Sequence, residues 1–236
     1  MITRNQIKLI QSLKLKKNRE EHHLFVVEGK KMVDELINSD FEIEQIYHTQ
    51  DVAISHKKAI QISKKDLERI SFLSSNNEVL ALVNIKKSSA KIKPNEITIA
   101  LDAISDPGNL GTIIRTADWF GVKHIICSEN TVDVYNPKVI QASMGSLFRV
   151  NVNYVDLEQT LKSFKGNIYG SYLKGNNLYK EKLESGILLI GSESHGISNE
   201  REKFVTNKIT IPKFGNAESL NAATATAIIL SEFKRD

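Results

Sequence analysis

The chain of 236 residues holds a single cysteine, Cys127. One thiol cannot close an internal disulfide, and it cannot furnish a cysteine-based zinc site. Of the six histidines only His22 and His23 lie close together, so the sequence predicts no structural metal. No apolar run approaches the roughly 18–20 residues that a membrane helix needs. The N-terminus is polar, unlike a signal peptide, and a cytoplasmic address is expected. There is no G-x-G-x-x-G fingerprint, and no glycine loop runs into Lys-Ser or Lys-Thr. That argues against a nicotinamide-dependent oxidoreductase and against a Walker-type nucleotide site. Internal repeats and low-complexity tracts are also missing.

What remains is an ordinary globular composition, 41% hydrophobic and 25% charged. The length suits one large domain or two modest ones. Charge is unevenly placed. Residues 1–31 carry eight Lys or Arg against three acidic residues, a balance of +5, whereas the whole chain carries +4. A basic end on a near-neutral body fits either a polyanion partner or a solvated charged face.

Residues 86–96, "KKSSAKIKPNE", have the composition of a linker. Before it, residues 1–85 read as a small α/β unit. Helices are expected at 3–17, 29–39 and 64–72, with strands at 24–28, 43–48, 60–62 and 78–83. After it, in 97–236, strands are expected at 97–102, 124–128, 151–154, 167–171, 186–191 and 207–211. Helices fall between them at 109–120, 136–143 and 156–164, and one closes the chain at 219–234. Such alternation predicts a mainly parallel sheet covered on both faces, whose ligands bind at the carboxyl ends of its strands.

Three polar, glycine-bearing turns lie at those ends. In "LDAISDPGNLGTIIRTADWFG" Pro107 and Gly108 make a turn and Asn109 is a candidate helix cap. Leu110, Ile113, Ile114 and Ala117 share the buried helix face, while Trp119 and Phe120 read as packing residues. Arg115 faces away, either paired with Asp118 or free to grip a phosphate. In "LLIGSESHGIS" Glu193 could cap a helix or accept from a ligand hydroxyl, and His195 is either solvated or catalytic. In "IPKFGNAESLNAATATAIIL" Ser219 is a candidate cap, with free N–H groups beyond it. The small residues Ala222 to Ala227 let another backbone or a flat ligand come close. The apolar residues Ile228, Ile229, Leu230 and Phe233 extend that helix as a face for a second subunit.

Taken in order and spacing, "DPGNLGTIIRTADWFG" (106–121), "LLIGSESHGIS" (188–198) and "IPKFGNAESLNAATATAII" (211–229) resemble the SpoU/TrmH branch of the SPOUT RNA methyltransferases. The segment 12–36, "SLKLKKNREEHHLFVVEGKKMVDEL", looks like that family's L30e-like substrate-binding domain. The resemblance implies an α/β fold with a C-terminal α/β-knot, a trefoil, over 97–236 and an N-terminal L30e-like RNA-binding domain over 1–85. It implies transfer of a methyl group from S-adenosyl-L-methionine to a ribose 2′-hydroxyl, in ribosomal RNA first and transfer RNA as the alternative. It further implies a homodimer formed by the C-terminal domain. By motif match, Asn109, Arg115, Glu193, Ser219 and Asn221 are the catalytic set. Gly191, Ser192, Glu193, Ile211, Ser219, Leu220 and Asn221 are the cofactor contacts, and no metal is implied. Two positions depart from the family pattern: Ser194 follows the motif Glu, and Lys213 follows Ile-Pro. An RNA-binding protein that keeps the fold without catalysis is the rival reading.

Overall fold

The structure is a computed structural model that describes residues 2–73, 78–86 and 92–235. Residues 87–91, the middle of the expected linker, lie outside the described residues. Thr3 opens the chain's first helix by a reciprocal exchange. Its hydroxyl accepts from Gln6 N at 3.2 Å, and Gln6 Oε1 accepts from Thr3 N at 2.9 Å. The single helix expected over 3–17 is two, α1 (Arg4–Ser12) and α2 (Lys16–His22). Leu13 turns into the core and is fully buried, and the backbone is extended at Leu15. Tertiary burial of one leucine thus interrupts a locally continuous helical pattern.

The small sheet follows as β1 (Leu24–Glu28), α3 (Lys30–Ile37), β2 (Ile43–His48), β3 (Ala59–Gln61), α4 (Lys64–Ile70) and β4 (Val79–Asn84). Its order is β1-β4-β2-β3, with β4 antiparallel to both neighbours and β2 parallel to β3.

The large sheet comprises β5 (Ile97–Asp102), β6 (His124–Cys127), β7 (Asn151–Tyr154), β8 (Asn167–Asn177), β9 (Gly186–Gly191) and β10 (Asn207–Thr210). Between them run α5 (Pro107–Trp119), α6 (Pro137–Ser143), α7 (Leu157–Ser163) and α8 (Asn199–Glu202), and α9 (Ala222–Phe233) closes the chain. The order is β10-β8-β9-β5-β6-β7, and every pair is parallel. The central strands show why their sequences are continuously apolar. Ile99, Leu101, Ile125, Cys127, Leu188 and Ile190 face one core cluster, while Ala100, Ile126, Ile187 and Leu189 face another on the opposite side. Burial pushes the Cys127 thiol well above its ordinary range, so it stays protonated and unreactive.

The first of those clusters does not stop at the large sheet. It continues through Val139, Ile140 and Phe148 into Phe25, Val27, Met32 and Leu36 of the small-sheet unit. Phe25 stacks against Tyr135 with ring centroids 4.5 Å apart, and Phe41 meets Phe148 edge-on at 5.5 Å.

Strand β8 runs to Asn177, six residues past the expected end. Opposite β10 its register jumps, with Lys208 facing Gly170 and Ile209 facing Asn176, so five further residues of β8 stand against a single step of β10. Trp119 is 85% exposed and does not pack, whereas Phe120 is half-buried against the core. Among the described residues no helix is long and apolar enough to cross a membrane, and no three His, Cys, Asp or Glu gather as a metal site.

Candidate active site

The carboxyl end of β5 is held from several sides. Asp102 is 2% exposed; its carboxylate accepts from Ser198 N at 2.9 Å and from Arg201 Nη1 at 2.8 Å. The chain then reverses at Ala103, which adopts φ +57°. A left-handed alanine costs roughly 1–2 kcal/mol, and the bond from Ala103 N to Ser128 Oγ at 2.9 Å helps hold it there. Asp102 is a functional-region residue that the sequence reading missed. Its signal was a carboxylate at the end of an otherwise apolar strand, a position where it needs buried partners.

The cap of α5 is Asp106, not Asn109. Asp106 Oδ1 accepts from Asn109 N at 2.8 Å, and Pro107 occupies the first turn, where its missing N–H costs nothing. Asn109 is therefore free to project its side chain across the strand ends. The four buried positions foreseen on this helix, Leu110, Ile113, Ile114 and Ala117, are all fully buried.

The cap of α9 is likewise Asn221, not Ser219, so the helix begins at Ala222. Asn221 Oδ1 accepts from Ala223 N at 2.9 Å and from Thr224 N at 3.3 Å. Those two N–H groups are thus consumed by the cap, which reduces the donor set expected there.

The turn after β9 is a tight hairpin. Ser192 and Gly196 exchange backbone bonds, N to O at 3.1 and 2.9 Å, and Gly196 takes φ +67°. A Cβ on Gly191 would stand 2.0 Å from the carbonyl carbon of Gly196, so only glycine fits. Glu193, Ser194 and His195 sit exposed at the tip. Ser194 Oγ is bonded to His195 Nδ1 at 2.7 Å, and Ser192 Oγ accepts from His195 N at 3.3 Å. Glu193 caps no helix.

These three turns meet in one hydrogen-bonded relay. Asn221 Nδ2 donates to Asn109 Oδ1 at 2.7 Å, and Asn109 Nδ2 donates to Glu193 Oε1. Chemistry dictates the orientation of both amides. The oxygen of Asn221 must face the backbone N–H groups it caps, so its NH₂ faces Asn109. Asn109 must then present oxygen to Asn221 and NH₂ to a carboxylate that can only accept. No flipped arrangement satisfies all of these partners.

Arg115 stands outside this relay. It lies six residues beyond Asn109, about 9 Å along the helix, and is exposed. Its expected partner Asp118 is instead bonded to Arg149 Nε at 2.9 Å. Among the described residues the Arg115 side chain makes no hydrogen bond or ion pair. Ser219 and Leu220 are exposed and also stand outside the relay. They belong to a stretch, 211–220, in which no backbone N–H donates within the protein among the described residues. Lys213 in that stretch is exposed, and Ile211 is half-buried. The arrangement offers a fixed carboxylate, a run of unpaired main-chain donors and acceptors, and an unpaired guanidinium nearby on α5. Such a surface suits a ligand recognised through its polar edges, with an anion beside it.

Comparison with known proteins identifies the family. Residues 96–231 match the model of the SpoU rRNA Methylase family, and residues 4–81 match the MRM3-like substrate binding domain. The 23S rRNA (guanosine(2553)-2′-O)-methyltransferase RlmP of Bacillus subtilis is 28% identical over 238 residues, covering 95% of this chain and 94% of that protein. Among solved structures, a TrmH-family protein from Porphyromonas gingivalis superposes with a TM-score of 0.89 at 36% identity, covering 99% and 98% of the two chains. An AdoMet-bound rRNA methyltransferase from Sinorhizobium meliloti gives 0.87 at 27% identity, covering 99% and 95%. Matched to the family model over more than half its length, the chain belongs to the SpoU rRNA methylase family.

Proposed function

We propose that the protein transfers the methyl group of S-adenosyl-L-methionine to a ribose 2′-hydroxyl of ribosomal RNA. The observation that carries this reading is the Asn221–Asn109–Glu193 relay, which unites three segments far apart in the chain at the ends of parallel strands. The cofactor, when bound, supplies a methylsulfonium electrophile. The residues present fit it. The unpaired main-chain groups of 211–220 offer donors and acceptors for a nucleoside edge, and the relay fixes a carboxylate next to them. Gly191, Ser192, Glu193, Ile211, Ser219, Leu220 and Asn221 are the proposed cofactor contacts. Arg115 holds the RNA phosphate beside the target ribose and assists removal of the hydroxyl proton. A guanidinium stays protonated under ordinary conditions, so it acts through the phosphate it grips. The methyl donor and the hydroxyl must be aligned in line, and holding both is the larger share of the task. Incubation with labelled S-adenosyl-L-methionine and 23S rRNA is expected to place the label on a ribose, read as a 2′-O-methyl stop to alkaline cleavage. Calorimetry that found no cofactor binding would leave only the non-catalytic RNA-binding reading.

The finer architecture belongs to the same proposal. Residues 1–85 form the L30e-like RNA-binding domain, 86–96 the linker and 97–236 the knotted methyltransferase domain, working in the cytoplasm. The separate sheets support this division. Close packing supports a knot: a Cβ on Gly175 would stand 2.7 Å from Lys208 O, and Ala222, Ala223 and Thr226 are buried along α9.

A homodimer through the C-terminal domain is also proposed, on a different surface from that expected. Ile229 and Leu230 are spent in the protein's own core, and Phe233 packs edge-on against Tyr169 at 5.1 Å. Among the described residues Trp119 and Phe214, 85% and 93% exposed, are the most exposed large apolar side chains, and they are open to a second subunit. Light scattering at micromolar concentration should give about twice the 26.5 kDa chain mass; a monomer would remove the dimer from the proposal.

A further inference from the structure

Not every cation of the basic N-terminal segment faces solvent. Lys16 pairs with Glu20 and Lys30 with Asp34, while Arg4, Lys8, Lys17 and Lys31 are exposed without an ion pair among the described residues. Arg19 differs from all of these, being 3% exposed. Its Nη1 donates to Leu13 O at 2.8 Å and Lys14 O at 2.9 Å, carbonyls left over where α1 breaks. Its Nε, at 3.0 Å, and its Nη2 both donate to Asp133 Oδ2.

Asp133 belongs to the segment after β6, at the same end of the large sheet as the relay. The neighbouring Val132 N donates to Ile104 O at 2.8 Å, inside the turn that leads to Asp106 and Asn109. The second carboxylate oxygen of Asp133 accepts from Tyr135 N at 3.1 Å. A second arginine ties the units on the other side. Arg149 donates to Glu35 of α3 through Nη1 and to Asp118 of α5 through Nε. Asp118 lies about one helical turn beyond Arg115. Both ties thus run from the small-sheet unit to the surroundings of α5, the helix that carries Asn109 and Arg115.

A buried ion pair adds little net stability over an apolar pair of the same shape. What it adds is direction, because a planar guanidinium fork accepts few geometries. We propose that Arg19–Asp133 and Arg149–Glu35 are positioning pairs that hold the cationic helices α1 and α2 in fixed register with Arg115. The N-terminal unit is then a rigid arm, and an RNA long enough to reach both surfaces binds them as one preformed site. Two weak contacts on one rigid body reinforce each other, and the gain falls when the body loosens. The inference rests on the proposed RNA reading, but it concerns binding and can be tested apart from catalysis.

The test uses the full chain carrying Asp133→Asn together with Glu35→Gln. Fluorescence anisotropy would follow a long 23S rRNA fragment and a short hairpin taken from its methylated region. Both substitutions remove negative charge, so electrostatics alone would strengthen binding to a polyanion. The rigid arm requires the opposite sign: about tenfold weaker binding of the long RNA, with the hairpin and cofactor affinities unchanged. Equal or tighter binding of the long RNA would overturn the proposal, as would equal losses on both RNAs. Arg19→Lys, which keeps the charge and loses the fork, is a second variant for which the same pattern is expected, with a thermal melt confirming its fold. A wild-type protein that bound the long RNA more tightly but methylated neither RNA would overturn the catalytic reading and leave this one standing.

Discussion

Arg115→Ala is expected to lower methyl transfer by about a hundredfold or more, close to 3 kcal/mol in the barrier, while the fold and cofactor affinity survive. The expectation follows from what Arg115 does not do. It is exposed, and among the described residues it has no ion pair, since Asp118 is taken by Arg149. A surface side chain without partners contributes within about 0.5 kcal/mol to stability. An unpaired arginine on the helix that leaves this strand-end turn is therefore available for a ligand. Arg115→Lys should rescue poorly, because an ammonium cannot reproduce the planar fork that grips a phosphate. The measurement is transfer of labelled methyl to the cognate RNA beside a thermal melt. Near wild-type transfer by Arg115→Ala would reduce Arg115 to a solvated surface cation.

Asn109→Asp should disable the site by a different route. The change keeps size and shape but replaces the NH₂ that faces Glu193 with a second oxygen. Where Asn109 Nδ2 donates to Glu193 Oε1, two acceptors would meet, both charged near neutral pH. At hydrogen-bonding range the repulsion is on the order of 1–4 kcal/mol, toward the low end at an exposed position. Losing the bond itself costs about 1 kcal/mol. The hairpin carrying Glu193 should pull away from α5, and cofactor affinity should fall about tenfold or more, with transfer falling further.

The sign of the pH dependence identifies the cause. Repulsion raises the introduced carboxyl's folded-state pKa above its unfolded value near 4. Folded protein then binds more protons than unfolded protein, so the stability deficit is largest at high pH and shrinks as pH falls. Melts of variant and wild type should converge between about pH 7.5 and about pH 5. Glu193→Gln is the control, because its amide oxygen still accepts from Asn109 and the relay survives without the charge. A deficit in Asn109→Asp that stays constant over that range would show that the relay does not hold the hairpin.

The sequence by itself determined what local rules can reach. Apolar runs at 97–102 and 186–191 could only be strands covered on both faces, and they are β5 and β9. The i, i+3, i+4, i+7 spacing of Leu110 to Ala117 fixed the buried face of α5. The three glycine-bearing turns were legible as a shared site because parallel strands bring their carboxyl ends together. Tertiary structure alone decided who bonds whom. Asp106 and Asn109, or Ser219 and Asn221, are equally able caps by composition, and a shift of two or three residues is below the resolution of propensity. Asn221 is also locked by Asn109, 112 residues away, as Asn109 is by Glu193, 84 residues away. Arg19 reads as one more cation in a basic run until Asp133, 114 residues on, buries it. Ile229 and Leu230 read as an interface and are core. Caps and periodicity act within about one helical turn of chain, whereas a charge or an amide takes its partner from whatever the topology sets against it.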